Sequence, residues 1–240
     1  MALPTTKTPP KTDLSDFTTL IYGQTKIGKS TLASRFPEAL FLATEPGLNA
    51  LDAYQIPITS WQELLAAARD VATGGHNFKT VVIDTADNAY KYCEEYVCAA
   101  ESIRHPNDLE YGKGAAFVNN EFQRVLTKLA ALPYGLILIS HAKDKEVKTP
   151  TGKYMKTAPT LPGGAYKIIL GMADMVLYCD MEEVTTGTDG KIAQRRVIHT
   201  KPTIYYEAGD RTGLLPETLP LSYQKFYEAF NESLAKRRAA

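Results

Sequence analysis

The stretch Gly23-Gln24-Thr25-Lys26-Ile27-Gly28-Lys29-Ser30 fits G-x-x-x-x-G-K-[ST], with the apolar run Thr18–Tyr22 before it and the helical run Thr31–Phe36 after it. Strand, glycine-rich turn and helix in that order commit the chain to an α/β fold. The glycines let backbone N–H groups turn inward around phosphates, and the helix start adds positive potential. Lys29 is then expected to reach the terminal phosphates and the Ser30 hydroxyl to hold magnesium. Gly23, Gln24, Thr25, Lys26, Ile27, Gly28, Lys29, Ser30 and Thr31 form the expected loop for Mg-ATP or a closely related triphosphate. A glycine-rich turn matching by chance would need neither the strand nor the helix.

The rest of the chain repeats the alternation. Strands are expected at Thr18–Tyr22, Leu40–Ala43, Thr80–Asp84, Gly135–Ser140, Asp174–Asp180 and Arg196–Lys201, giving a mainly parallel central sheet flanked by helices. Apolar residues about 3.6 apart predict helices over Trp61–Val71 and Phe117–Leu132. Thr186–Gly190 reads as the tip of a C-terminal hairpin. Ser222 reads as the cap of a last helix with Tyr223, Phe226, Tyr227 and Phe230 on its apolar face and Lys236, Arg237 and Arg238 at its end. Residues 1–13, rich in Pro, Thr and Lys, read as a flexible arm before a single domain over 14–240.

Lys+Arg and Asp+Glu both number 27, so no global field draws nucleic acid or membrane, and any DNA contact has to come from a local patch. No apolar run approaches the roughly 18 residues of a membrane span, and MALPTTKTPPKTD lacks the apolar stretch of a signal peptide, so the cytoplasm is the expected compartment. Cys93, Cys98 and Cys179 are too few and too irregular for a disulfide framework, and Cys93, Cys98 and His105 miss a complete zinc pattern.

A phosphate loop needs an acid across the site, normally at the carboxyl end of an apolar strand, and Thr80-Val81-Val82-Ile83-Asp84 ends in one. Such acids also cap helices, a role open here to Thr85 and Asp87. With the loop upstream, Asp84 is the expected partner of Ser30 in holding magnesium. Hydrolysis further needs a base to orient water. Thr85, not a glutamate, follows Asp84. Glu45, just after Leu40–Ala43 at the carboxyl edge of the sheet, is the candidate, against the alternative of a solvated loop acid ahead of Pro46-Gly47.

On these residues the sequence resembles the RecA-like recombinase core over about residues 17–205. Thr44–Asp52 resembles the segment that carries that family's catalytic glutamate, and Pro162-Gly163-Gly164-Ala165-Tyr166-Lys167 resembles its Gly-Gly stretch after the second DNA-binding loop. The partition and arsenite-pump ATPases carry a second lysine directly after the first glycine; here that position is Gln24 and the lysine is Lys26, which sets the chain outside that group. The loop itself, Glu45-Pro46-Gly47, Tyr111-Gly112-Lys113-Gly114, Ile139-Ser140-His141-Ala142-Lys143 and Arg211-Thr212-Gly213-Leu214-Leu215-Pro216 look like small phage ATP-binding proteins of single-strand-annealing type. The resemblance implies a phage recombination or replication role in the bacterial host cytoplasm, with self-assembly into a ring or filament, single-stranded DNA and a single-strand-binding protein as partners. It further implies a polar γ-phosphate sensor at Ser140 and His141, where RecA-like proteins use glutamine. It also points to Lys201 and Arg211 as cations offered to a neighbouring subunit's γ-phosphate.

Residues 143–156 read as a local basic loop. Lys143, Lys145, Lys148, Lys153 and Lys156 outnumber Asp144 and Glu146, and with Tyr154 they suit tracking phosphates and stacking a base. Lysine-rich loops also simply solvate a surface, and the family likeness favours DNA. The combined expectation is an ATP-hydrolysing protein acting on single-stranded DNA by annealing or strand pairing. Its rivals are a nucleotide-switched interaction protein that recruits replication or packaging partners without touching DNA and, more remotely, a small-molecule kinase.

Overall fold

The computed structural model describes Leu3 and residues 5–150, 152–186 and 191–239. The expected hairpin tip at Thr186–Gly190 lies mostly outside them, at 187–190. Asp13 caps a short 3-10 turn over Leu14–Asp16, in which Leu14 is buried.

The first strand, β1 (Thr18–Gly23), is buried along its whole length because it has parallel strands on both sides. The loop leads into α1 (Lys29–Ala33), then β2 (Ala39–Ala43), β3 (Tyr54–Pro57), α2 (Trp61–Thr73), β4 (Thr80–Asp84), α3 (Ala86–Ala100) and α4 (Lys113–Ala130). Next come β5 (Gly135–Thr149), β6 (Gly152–Pro159), α5 (Gly163–Met172), β7 (Met175–Thr186), β8 (Lys191–His199), β9 (Gly209–Asp210), β10 (Thr218–Pro220) and α6 (Tyr223–Ala239). The sheet order is β10-β8-β7-β1-β5-β4-β2-β3, parallel from β7 to β3, with β8 antiparallel to both of its neighbours, β7 and β10. This is the mainly parallel sheet flanked by helices that the sequence implied, and β5 stands between the strand that feeds the loop and the strand that ends in Asp84.

Alternation along the strands builds a core on each face. On one side Leu20, Tyr22, Leu42, Val81, Ile83 and Leu138 pack under α2, α3, α4 and α5. On the other, Ile21, Phe41, Val82 and Ile139 pack under α1 and α6. Helix α5 can approach α4 because residue 164 is glycine: a β-carbon there would collide with the Asn119 side chain. In α6 the buried face is Phe226, Phe230 and Leu234, while Tyr227 lies outside it and stacks on Tyr223.

The expected basic loop over 143–156 is instead a two-stranded ribbon. β5 runs on without a break past His141, leaves the central sheet and pairs β6 in antiparallel register from Ala142↔Pro159 to Thr149↔Gly152. Alternating side chains in both arms give the ribbon two faces, which a lysine count along the sequence does not reveal. No helix among the described residues is long and apolar enough to cross a membrane.

Candidate functional site

The carboxyl edge of the parallel strands carries a cleft of about 500 Å³ lined by the loop, the Glu45–Gly47 turn, Asp84, His141 and Arg196. Gly28 caps α1 in a left-handed conformation, φ 119°, which an L side chain would resist. Lys29 follows, 6 % exposed, and folds back to donate to the carbonyls of Gly23 (3.0 Å) and Gln24 (2.9 Å). Burial lowers its pKa, opposed by the negative groups around it, Asp84, Glu45 and Asp87 among them. Ser30 Oγ donates to Asp84 Oδ2 at 2.6 Å. Burial raises the pKa of Asp84, with the Ser30 bond opposing.

Glu45 is set by its neighbours. Thr44 N donates to the Asp84 carbonyl, Thr44 Oγ1 donates to the Thr85 carbonyl, and Thr85 N donates back to Thr44 Oγ1, which ties the ends of β2 and β4 together. Buried Leu48 anchors the far side of the turn. Glu45 thereby reaches His141, whose Nε2 lies 3.4 Å from both carboxylate oxygens. On its other side His141 Nδ1 is 3.5 Å from Lys29 Nζ. A lysine ammonium carries donors only, so Nδ1 accepts and Nε2–H points at Glu45. His141 can bridge the two because β5 lies between β1 and β4, with His141 level with Gly23.

Behind His141, Ser140 Oγ donates to Asp87 Oδ1 at 3.2 Å, Thr160 Oγ1 donates to the same oxygen, and Thr160 N donates to the His141 carbonyl at 2.9 Å. Thr160 directly follows β6, so the base of the ribbon is fastened to the histidine.

The expected cations for a neighbour's site lie apart from this cleft. Lys201 Nζ is 3.5 Å from Asp210 Oδ2. Arg211 donates to the Gly171 carbonyl at 2.7 Å and pairs Asp174 at 3.3 Å, beside β9, which pairs the opposite, amino end of β7.

On the ribbon, the face bearing Lys145, Lys156 and Tyr154 turns to the body of the protein. Lys145 sits 5.1 Å from the Tyr166 ring centroid, Lys156 pairs Glu207 at 2.8 Å, and Tyr154 meets Tyr205 edge-on. Lys143 donates to the Thr160 carbonyl. The opposite face carries Lys148 directly across from Lys153, with Glu146 bound to Lys153 at 3.1 Å and Met155 exposed.

The donor set fits magnesium. Ser30 Oγ and Asp84 Oδ2 are hard oxygen ligands already side by side, and a divalent cation would offset the burial of the Asp84 carboxylate. Sequence reasoning missed Arg196, which arrives from β8 and has no motif around it.

The chain is 28% identical over 166 residues to an SPbeta prophage-derived uncharacterized protein, YorG, of Bacillus subtilis (strain 168), and spans about half the length of that relative: the match covers 66% of this chain and 49% of the relative. Among solved structures it is similar to a KaiC-like protein of Pyrococcus horikoshii OT3 (TM-score 0.45, 16% identity, 77% of this chain and 78% of that one). It is also similar to the flagellar accessory protein FlaH of Methanocaldococcus jannaschii (TM-score 0.40, 13% identity, 77% of each chain). The profile of the AAA domain family matches residues 15–212, which takes in the loop, Glu45, Asp84, His141 and the ribbon. The chain therefore belongs to the AAA domain family.

Proposed function

We propose that the protein hydrolyses Mg-ATP and couples the state of the γ-phosphate to single-stranded DNA held on the β5–β6 ribbon, in phage recombination or replication. The observation that carries this reading is His141: one residue touches the phosphate-binding lysine and the water-orienting Glu45, and its carbonyl holds the base of the ribbon. Lys29 and the loop N–H groups bind the phosphates, Glu45 accepts the proton of the attacking water, and the Nε2–H of His141 fixes the Glu45 carboxylate. Magnesium, held by Ser30 and Asp84, supplies charge neutralisation on the phosphate oxygens.

The DNA part rests on Lys148 and Lys153. Like charges directly opposite each other destabilise a strand pair; Glu146 offsets part of the Lys153 charge, and a phosphate at Lys148 relieves the rest. The phage setting rests on the likeness to a prophage-derived relative and on the annealing-type motifs, which also imply self-assembly and a single-strand-binding protein as a further partner. A second reading, a nucleotide switch that recruits a protein, is favoured by exposed Met155 on the same face as the lysines and by the pairing of Lys153 and Lys156 with acids.

ATP turnover measured with and without single-stranded DNA separates the two. Several-fold stimulation, with DNA binding that depends on nucleotide, is the expected result. Absence of DNA binding in every nucleotide state would transfer the function to the switch.

A further inference from the structure

β8 rises past the carboxyl edge of the sheet. Ile198 pairs Cys179, which is level with Gly23, and Arg196 pairs Met181, two residues farther out. Leu221 N donates to the Arg196 carbonyl at 3.0 Å, which seats these two residues together. Their side chains close over the loop: a β-carbon on Gly28 would lie 3.2 Å from Leu221 Cδ2 and 3.7 Å from Arg196 Nη1. Arg196 forms no ion pair among the described residues, whereas its neighbour Arg195 is held by Glu182 at 3.0 Å. An unpaired guanidinium thus lines the cleft at the turn just ahead of Lys29.

Its direction of approach matters. Glu45 enters the cleft from β2, on one side of β1, and Arg196 enters from β8, on the other. In an in-line displacement the water attacks the γ-phosphorus from one side and the leaving oxygen departs on the opposite side. With the base on the β2 flank, the β8 flank faces the leaving diphosphate.

We propose that Arg196 is a catalytic residue whose guanidinium binds the β-phosphate of the nucleoside triphosphate from within the same chain. This rests on the reading of the cleft as an ATP-hydrolysing site. The water oxygen forms the new bond to the γ-phosphorus and its proton passes to Glu45. The bond between the γ-phosphorus and the bridging oxygen breaks, and its electron pair stays on the β-phosphate oxygen beside Arg196. A planar, permanently charged fork suits that growing charge. Because the cation belongs to the same chain, its own contribution to turnover does not depend on a neighbour.

The test compares parent, Arg196→Ala, Arg196→Lys and Lys29→Ala, with thermal melting to establish that each is folded. ATP turnover and calorimetric titration with ADP are the readouts. In Arg196→Ala, kcat is expected to fall about 10²–10³-fold, with a smaller loss in Arg196→Lys. The Kd for ADP is expected to rise about tenfold or more. Mixing Arg196→Ala chains with Lys29→Ala chains is expected to restore nothing. A kcat within threefold of the parent overturns the proposal, and so does recovery in the mixture, which would assign the arginine to a neighbour's site. If the parent binds nucleotide without turning it over, hydrolysis is the reading that fails, and an unchanged ADP affinity in Arg196→Ala then overturns the proposal separately.

Discussion

Ser30 and Asp84 are joined across the mouth of the loop by a 2.6 Å hydrogen bond from hydroxyl to carboxylate. Asp84 is 3 % exposed, and burial holds its pKa above the usual carboxylate range. A carboxyl whose folded pKa exceeds its unfolded value binds its proton more tightly in the folded state. Stability of the empty protein therefore falls as pH rises through the folded pKa, and the full cost persists above it. Asparagine carries no charge and still accepts from Ser30. Asp84→Asn is expected to raise the Tm of the nucleotide-free protein at neutral pH, while weakening the magnesium dependence of ATP binding by about 10–100-fold. A lower Tm together with an unchanged magnesium titration would contradict the assignment.

Glu45→Gln keeps the shape of the side chain and removes the base. ATP is expected to bind as in the parent while turnover falls about 10²-fold or more, so the variant traps the bound state. His141→Ala is expected to loosen Glu45 and lower turnover, and, on the proposed coupling, to leave the remaining turnover unresponsive to DNA. Rapid-quench and steady-state measurements check both variants. Turnover within a few-fold of the parent in Glu45→Gln would make Glu45 an ordinary loop acid.

The ribbon offers two kinds of lysine. Lys148→Ala and Lys153→Ala remove the opposed pair on the outer face, and each is expected to weaken single-stranded DNA binding and to flatten its salt dependence by about 0.7 of a log unit for every phosphate left without its lysine. Lys156→Ala breaks a tie to Glu207 and is expected to act on stability more than on the salt slope. Tyr154→Ala should cost about 1–3 kcal/mol of DNA affinity if the ring leaves Tyr205 to stack on a base, with little change in slope. Fluorescence titrations over a range of salt concentration distinguish these outcomes. An unchanged slope in the Lys148→Ala, Lys153→Ala double variant removes the ribbon from DNA.

Arg211 has to release both Asp174 and the Gly171 carbonyl before it can serve another subunit. Its side chain is 58 % exposed, so the pair contributes about 0.2–1 kcal/mol and Arg211→Ala is expected to lower Tm by no more than a few degrees. Arg211→Ala is expected to keep the turnover of the parent, and mixing it with Lys29→Ala chains is expected to add nothing beyond the turnover of the Arg211→Ala chains themselves. Recovery, with assembly intact by sizing, would establish the neighbour role.

What the sequence makes legible is what local chemistry dictates. The glycines, Lys29 and Ser30 announce themselves because no other residues perform their tasks at that spacing, and Asp84 and Glu45 are found by counting from the ends of apolar strands. β3 is not legible in this way: Tyr54–Pro57 is a short, largely exposed edge strand that ends in proline and carries no buried alternation. Neither is α3. Its buried side includes Ala86, Ala89, Tyr90, Cys93 and Val97, where small and aromatic residues replace the leucines that usually mark a helical stripe. The ribbon is hidden because its strands are built from charged residues and held by the strap at Tyr205–Glu207, a partner remote in sequence. Arg196 is illegible for the same reason: its place beside Gly28 follows from strand order, which no neighbouring residue encodes.

β5 crosses from the central sheet into the ribbon with no bulge or turn between His141 and Ala142. A strand without a joint passes a displacement of His141 directly to the ribbon, so under the proposed coupling the ribbon is a lever arm that must work against its ties to Tyr205 and Glu207. Eight residues from Ala142 to Thr149, at about 3.3 Å each, give an arm of roughly 25 Å, on which a tilt of about 5° at His141 moves the tip by about 2 Å. Amplification of that size makes arm length a design variable: pairs of residues added to or removed from both strands change the stroke at the tip while leaving the chemistry at its base untouched.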